Sequence, residues 1–381
     1  MPQKITIISE DFPPNYGGIS EWARGVAENL HAFGYKINVI CKHVTYVENN
    51  TNWPFEVEYL KHKYWKKMRT WYWIAALKEQ IKSGNVPDLI IGTKWSTSRG
   101  LIKLCKQNNI SLVTVVHGTE VTGNLNWYKR LWLKNTLVNS DHVISVSQFT
   151  ADYLLDNFSL SGTPIKVLPN GVDLNNFGSA SGVERLRDEL GLEGKQVIMT
   201  ISRVIERKGH DLVIRALPKL IKDNKNIVYV IAGPCDEAEK NRLMQLAKEL
   251  DVLSYVKMTG YIDANDLSSM YQLCDVYCMP SRLKEENGDS EGFGITFLEA
   301  NASKKPAIGG RSGGCVDAIV DGETGYLVDP LDPAELTEKI NYLLHNPDVA
   351  KAMGEKGYKR IEDEFNWNSI TEQLVKEINL N

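Results

Sequence analysis

The chain is poor in the features that would place it quickly. Nowhere in its 381 residues does an apolar run approach the ~18–20 residues that a bilayer-spanning helix needs. The opening segment, Met1 to Pro14, carries Glu10 and Asp11, which a secretory signal would not tolerate. Six cysteines (41, 105, 235, 274, 278 and 315) form no CxxC pair, so they read as reduced thiols of a cytosolic protein, not as a disulfide framework. No GxGxxG and no Walker A string occurs, which argues against a nicotinamide dehydrogenase and a P-loop NTPase. The seven histidines form no HExxH and no metal-ligand spacing. There is no solenoid-period repeat and no low-complexity tract.

What the chain does have is a globular composition, 43% hydrophobic and 24% charged, and a length that suits two or three domains. Its net charge of −4 divides unevenly, with +5 from Met1 to Phe177 and −9 beyond. Eight of the nine tryptophans lie in the first part, and Trp367 stands alone in the second. Halves so different in surface chemistry point to two domains that meet different partners.

Short β-branched runs alternate with amphipathic segments. Strands are expected at Lys4–Ile8, Ile37–Cys41, Asp88–Gly92, Leu112–Val116 and His142–Val146. A second set is expected at Val197–Ile201, Ile227–Ala232, Tyr255–Met258, Val276–Met279 and Pro306–Gly309. Their continuous apolar character fits strands buried on both faces, hence parallel sheets covered by helices. Helices are expected at Gly18–Phe33, Ile74–Lys82, His210–Lys222 and Glu237–Leu250. The pattern pauses at Leu168–Asp173 and then restarts. The expected architecture is α/β, two doubly wound Rossmann-like domains with a cleft between them, ligands binding at the carboxyl ends of the strands. The first would span 1–173 with the final segment 367–381 returning to it, and the second 174–366.

Several strings suit chemistry at those strand ends. Gly17 and Gly18, between the first strand and its helix, permit close backbone approach to a phosphate at a helix N-terminus. An ordinary turn explains them as well. The richer string is Glu291-Gly292-Phe293-Gly294-Ile295-Thr296-Phe297-Leu298-Glu299-Ala300. It offers backbone N–H groups to a diphosphate and a carboxylate on each side for vicinal hydroxyls, which suits a nucleotide-sugar. The bare Glu-x7-Glu spacing recurs at Glu48/Glu56, so only the composite string has weight. Arg203 and Lys208 follow a strand of the second domain, where they could bind phosphate or form a solvated basic loop. His117, in Val116-His117-Gly118, ends a buried strand, as a ligand contact or a core histidine.

Together these strings resemble glycosyltransferase family 4, retaining enzymes of the GT-B fold, over nearly the whole chain. Glu10–Trp22, His117–Val121, Pro169–Asp173, Ser202–Gly209, Glu291–Ala300, Ser312–Val328 and a helix after Phe365-Asn366-Trp367 stand in the family's order. The layout is similar to the bacterial enzymes that mannosylate phosphatidylinositol. The resemblance implies that Gly17 and Gly18 lie near the donor's β-phosphate and that His117 contacts the transferred sugar. It implies that Arg203 and Lys208 clamp the diphosphate and that Glu291 holds a sugar hydroxyl. Backbone N–H groups of Phe293, Gly294 and Ile295 would stand nearby, with Glu299 on the ribose and Tyr261 and Ile262 at the base. Asp317 departs from the glutamate many members carry. The implied reaction moves a hexose from a nucleotide-diphosphate sugar, UDP-hexose first and GDP-mannose second, to a glycan or lipid-linked acceptor. The chain holds no Asp-x-Asp, so no cofactor and no obligatory metal are expected.

Two readings compete. Gly310-Arg311-Ser312-Gly313-Gly314 matches the GxSxG elbow of serine hydrolases, with Asp317, Asp321, Asp329 and His345 downstream. A non-catalytic nucleotide-sugar-binding subunit would carry the same contacts. Residues 59–73 hold five Lys/Arg, six aromatics and no acid, which suits contact with an anionic membrane or, alternatively, a basic loop whose aromatics pack inside. Nucleic acid is not expected as a partner, given the pI of about 6.0.

Overall fold

The computed structural model describes residues 3–15, 17–42, 52–60, 69–160, 162–177 and 181–380. The chain divides into two compact units, Met1–Gly171 with Trp367–Asn381, and Val172–Asn366.

The first unit holds strands β1 (Lys4–Ser9), β2 (Lys36–Cys41), β3 (Glu56–Tyr59), β4 (Leu89–Gly92), β5 (Ser111–Val116), β6 (His142–Ser145) and β7 (Ile165–Val167). They form a sheet in the order β3-β2-β1-β4-β5-β6-β7, parallel throughout. All of β4 is buried, and so are Ile5, Ile7 and Ile8 of β1, because helices cover both faces. The helix Gly18–Ala32 turns Trp22, Ala23, Val26, Ala27 and Leu30 inward at helical spacing. The closing helix, Trp367–Glu377, packs against it through one close fit. A Cβ on Gly25 would lie 2.2 Å from the Trp367 indole, and one on Gly171 would lie 2.6 Å from it. Glycine at both positions opens the slot that the ring fills.

The second unit holds β8 (Gln196–Ile201), β9 (Ile227–Ala232), β10 (Val256–Gly260), β11 (Val276–Met279), β12 (Ala307–Gly310) and β13 (Gly325–Val328). Their order is β10-β9-β8-β11-β12-β13, again parallel. The main core joins β8, β9, β11 and β12 to the inner faces of the helices His210–Asp223 and Pro333–His345. At the unit's two ends the Val172 N–H donates to the Phe365 carbonyl at 2.7 Å.

Both units are thus doubly wound, Rossmann-like α/β folds. Three strands were not expected from sequence: β3, β7 and β13, each at a sheet edge. The helix expected at Ile74–Lys82 begins earlier, at Arg69. Of the basic aromatic segment 59–73, residues 61–68 lie outside the described residues. Its remaining tryptophans divide, with Trp73 buried and Trp71 71% exposed. Among the described residues no helix is long and apolar enough to cross a membrane.

Candidate active site

In the second unit the chain leaves β8 through Ser202-Arg203-Val204-Ile205 into a single 3-10 turn, Glu206–Lys208. Gly209, at φ 77°, ends the turn and starts the next helix. A Cβ there would strike the Pro280 carbonyl at 2.2 Å, so the turn presses against the end of β11. That closeness brings Arg207 and Lys208 to the loop that carries Glu291. Lys208 Nζ and Arg207 Nη1 each donate to Glu291 Oε2 at 2.6 Å. Arg207 Nε pairs with Asp289 at 3.1 Å. All of these partners of Glu291 converge on Oε2, including the more distant Ser281 hydroxyl, which leaves Oε1 for another donor.

Burial sets the electrostatics, since Arg207 is 4% exposed and Lys208 8%. Burial alone would raise the Glu291 carboxyl, but Lys208 and then Arg207 outweigh it and hold it down to about 2. Lys208 moves downward because burial penalises its charge more than Glu291 restores it. Arg207 is held upward, its burial overcome by Glu291 and Asp289. The result is a carboxylate that stays ionised beside two cations.

Three residues on, Gly294 adopts φ 95° as the cap of the helix Ile295–Ala302. No side chain caps this end. Among the described residues the N–H groups of Phe293, Gly294 and Ile295 donate to no protein acceptor. Free amides with the helix dipole behind them favour an anion. Glu299 lies just over one turn into the helix, and its Oε2 accepts from the buried Tyr271 hydroxyl at 2.5 Å. Tyr261, 65% exposed, and the half-buried Ile262 follow β10 directly. Arg203 is exposed at the carboxyl end of β8 and joins no ion pair among the described residues. The structure therefore brings Lys208 and Glu291 into contact but leaves Arg203 outside that cluster.

The Gly310–Gly314 string has a packing explanation. A Cβ on Gly310 would strike the Ser281 carbonyl at 2.0 Å, and one on Gly314 the Gly292 carbonyl at 2.2 Å. Gly314 N–H donates to the Glu291 carbonyl at 2.8 Å. Ser312 Oγ accepts from the Leu283 N–H at 2.9 Å. His345 Nδ1 bonds instead with the Asn341 carbonyl of its own helix at 2.8 Å. The glycines let this turn support the Glu291 turn, and Ser312 and His345 do not pair with each other.

In the first unit, Gly17 takes φ 146° at the start of its helix. Open space surrounds the Cβ positions of both Gly17 and Gly18. His117 follows β5, its N–H donating to Glu120 Oε1 at 2.6 Å and its ring meeting Trp22 edge-on at 6.0 Å. Burial, helped by Lys94, pushes the imidazole down to about 3 against a hydrogen bond to the Thr93 backbone. The ring is neutral near pH 7, and its buried Nε2 has no hydrogen-bond partner. A neutral, unpartnered ring nitrogen suits a hydroxyl. Among the described residues no group of three or more His, Cys, Asp or Glu side chains could hold a metal ion.

Two doubly wound units, with a glycine-edged helix start beside a buried cation–carboxylate cluster, define a GT-B type of glycosyltransferase. Residues 16–176 match the family model described as Glycosyltransferase Family 4. Residues 183–360 match the one described as Glycosyl transferases group 1. A GDP-mannose-dependent alpha-(1-6)-phosphatidylinositol monomannoside mannosyltransferase of Mycolicibacterium smegmatis is 30% identical, with 98% of this chain and 97% of that protein covered. A GDP-mannose-dependent monoacylated alpha-(1-6)-phosphatidylinositol monomannoside mannosyltransferase of Corynebacterium glutamicum is 28% identical, with 98% and 97% covered. The crystal structure of a glycosyltransferase from Rickettsia africae superposes with a TM-score of 0.83 at 22% identity, covering 100% of both chains. The chain belongs to glycosyltransferase family 4. It is a hexosyltransferase, and retention of anomeric configuration accords with that family.

Sequence reading passed over Arg207, Asp289 and Tyr271. The signal for Arg207 was its place beside Lys208 after a buried strand. Asp289 and Tyr271 carry no motif, and only the fold brings Asp289 to Arg207 and Tyr271 to Glu299.

Proposed function

We propose that the chain transfers mannose from GDP-mannose to a hydroxyl of a lipid-linked acceptor, with retention. The observation that carries the chemistry is the buried Lys208–Glu291–Arg207 cluster three residues before an uncapped helix start. The choice of donor is supported by the relative from Mycolicibacterium smegmatis, aligned across nearly the whole chain. UDP-hexose, the first expectation from sequence, is the competing donor.

As the anomeric C–O bond breaks, positive charge grows on the sugar and negative charge on the leaving diphosphate. Lys208, Arg203 and the amides of Phe293, Gly294 and Ile295 stabilise the second. Glu291, ionised and fixed through Oε2, accepts sugar hydroxyls on Oε1. Glu299, oriented by Tyr271, accepts the ribose hydroxyls, and Tyr261 and Ile262 flank the base. Gly17, Gly18 and His117 are assigned to the donor's β-phosphate and sugar on the family resemblance. The acceptor attacks from the face the diphosphate leaves, and a β-phosphate oxygen takes its proton. No protein nucleophile and no metal ion enters the scheme. Contact with an anionic membrane belongs to this reading, since a lipid-linked acceptor is presented there.

Turnover of GDP-mannose and UDP-glucose by the purified chain, with and without Lys208→Ala, tests the reading. GDP-mannose hydrolysis or transfer that Lys208→Ala lowers by orders of magnitude is expected. Turnover of UDP-glucose alone would overturn the donor, and binding without turnover of either would leave only a binding subunit.

A further inference from the structure

The turn that carries the amides of Phe293, Gly294 and Ile295 has little to hold it. Gly292 and Gly294, on either side of Phe293, have no side chains, so the Phe293 ring is the anchor of the segment. Gly294 stands at φ 95°, a region open to glycine, so the backbone alone does not settle where the amides point. What fixes the ring comes from the last residues of the second unit. The helix Pro347–Arg360 runs on into a π turn, Ile361–Phe365. Turns of this kind are rare and are frequent at functional sites. Here the turn brings the Phe365 ring to the Phe293 ring, 5.9 Å between centroids and tilted by 34°. Both residues are buried, Phe293 at 3% exposure and Phe365 at 5%.

Phe365 is held in its turn. The Arg360 guanidinium lies over its ring at 4.6 Å, and its carbonyl accepts the Val172 N–H. Arg360 also donates from Nη1 to the Ala318 carbonyl at 2.9 Å and from Nη2 to the Asp317 carbonyl at 3.1 Å. Those carbonyls end the helix Cys315–Ala318, which follows directly on Gly314. A Cβ on Gly314 would lie 2.7 Å from the Phe293 Cα. Residues 360–365 therefore hold the Glu291–Ile295 turn through Phe293, and the Gly310–Gly314 turn beside it through Arg360.

We infer that Phe365 is a positioning residue for the nucleotide's phosphates: by fixing the Phe293 ring it aims the amides of Phe293, Gly294 and Ile295 at the anion. Two rings at this separation and tilt set each other's orientation as well as burying area. An amide stabilises a phosphate best when it is aimed before the charge arrives. A core role alone would not distinguish the charged part of a ligand from the rest. The inference rests on the nucleotide-sugar reading of the site and adds to it a residue that touches no ligand.

The test is calorimetric titration of the full chain with GDP and, by competition, with guanosine, which carries the base and ribose but no phosphate. UDP and uridine are run beside them, so that a wrong base shows as failure of the donor and not of Phe365. Phe365→Leu keeps an apolar side chain and removes the ring. It should weaken the diphosphate about tenfold, as one misdirected hydrogen bond to a charged group would, and leave the nucleoside unchanged. Arg360→Gln, which frees Phe365 from outside the ring pair, should shift the same ratio in the same direction. Leu343→Ala, in the main core of the same unit, should lower Tm and leave both affinities at wild-type values. Phe365→Leu that keeps the wild-type ratio of diphosphate to nucleoside affinity overturns the inference, as does Arg360→Gln that keeps it should the first variant not fold. So does Leu343→Ala that shifts the ratio as far as Phe365→Leu. A wild type that binds neither diphosphate removes the donor reading and the inference with it.

Discussion

Replacing Glu291 by glutamine keeps the shape of the side chain and removes its charge, which isolates what the ion cluster does for folding. A carboxyl held from its ordinary 4.5 down to about 2 stabilises the folded state by on the order of 3 kcal/mol, at about 1.4 kcal/mol for each tenfold in proton affinity. The side chain is 12% exposed, so solvent screening takes little from this figure. Because the folded value is the lower one, the stabilisation is complete above about pH 4.5 and fades as pH falls through the folded value near 2. Glu291→Gln should therefore unfold more easily than wild type at pH 7 by about 3 kcal/mol, through the uncompensated burial of Lys208 beside Arg207. The two proteins should converge as the solution is acidified from pH 5 to pH 2. Urea unfolding followed by circular dichroism at a series of pH values gives both curves. A constant gap across that range, or no gap at pH 7, would refute the claim that Lys208 and Arg207 hold the carboxylate.

Lys208→Gln should behave differently, losing transfer almost completely while stability changes by less than about 1 kcal/mol, because Arg207 still pairs with Glu291 and a buried charge is relieved. Tyr271→Phe should raise the donor KM about tenfold with little change in kcat, from loss of one hydrogen bond to a carboxylate. That penalty should vanish with a donor lacking the ribose hydroxyls. His117→Gln should lower transfer without moving any pH limb near 6.5, since the imidazole is already neutral there. A limb near 6.5 that disappears in the variant would contradict its assignment. Trp367→Ala should destabilise the first unit by roughly 3–5 kcal/mol in thermal unfolding, the usual range for emptying a large aromatic site.

Much of the fold is readable where strands are central. β1, β4, β5, β8, β9 and β11 are continuous apolar runs because both of their faces are covered, and the sequence pattern carries that directly. β3, with Glu56 and Glu58 alternating with Val57 and Tyr59, and the three-residue β7 sit at sheet edges, where one flank pairs with nothing and few residues need be apolar. Their sequences resemble loops for that reason. At the site, the Glu291–Ala300 string and Lys208 carry their meaning in composition. Which of Arg203 and Arg207 is buried does not, because the answer depends on a 3-10 turn closed by Gly209 against Pro280. The glycines around Ser312 show the opposite problem: a string shared with a hydrolase elbow that serves here to let two turns touch.

The slot that Gly25 and Gly171 open for Trp367 has a consequence for the order in which the molecule is made. The ring that fills it is separated from Gly171 by the whole of the second unit, so a ribosome must deliver Val172–Asn366 before the first unit can close. Until then the helix Gly18–Ala32 carries an apolar seam with no cover. Nascent chains stalled within the second unit should bind chaperones and yield to proteases in the first. A sheet complete by Val167 would still wait for a single residue 200 positions later.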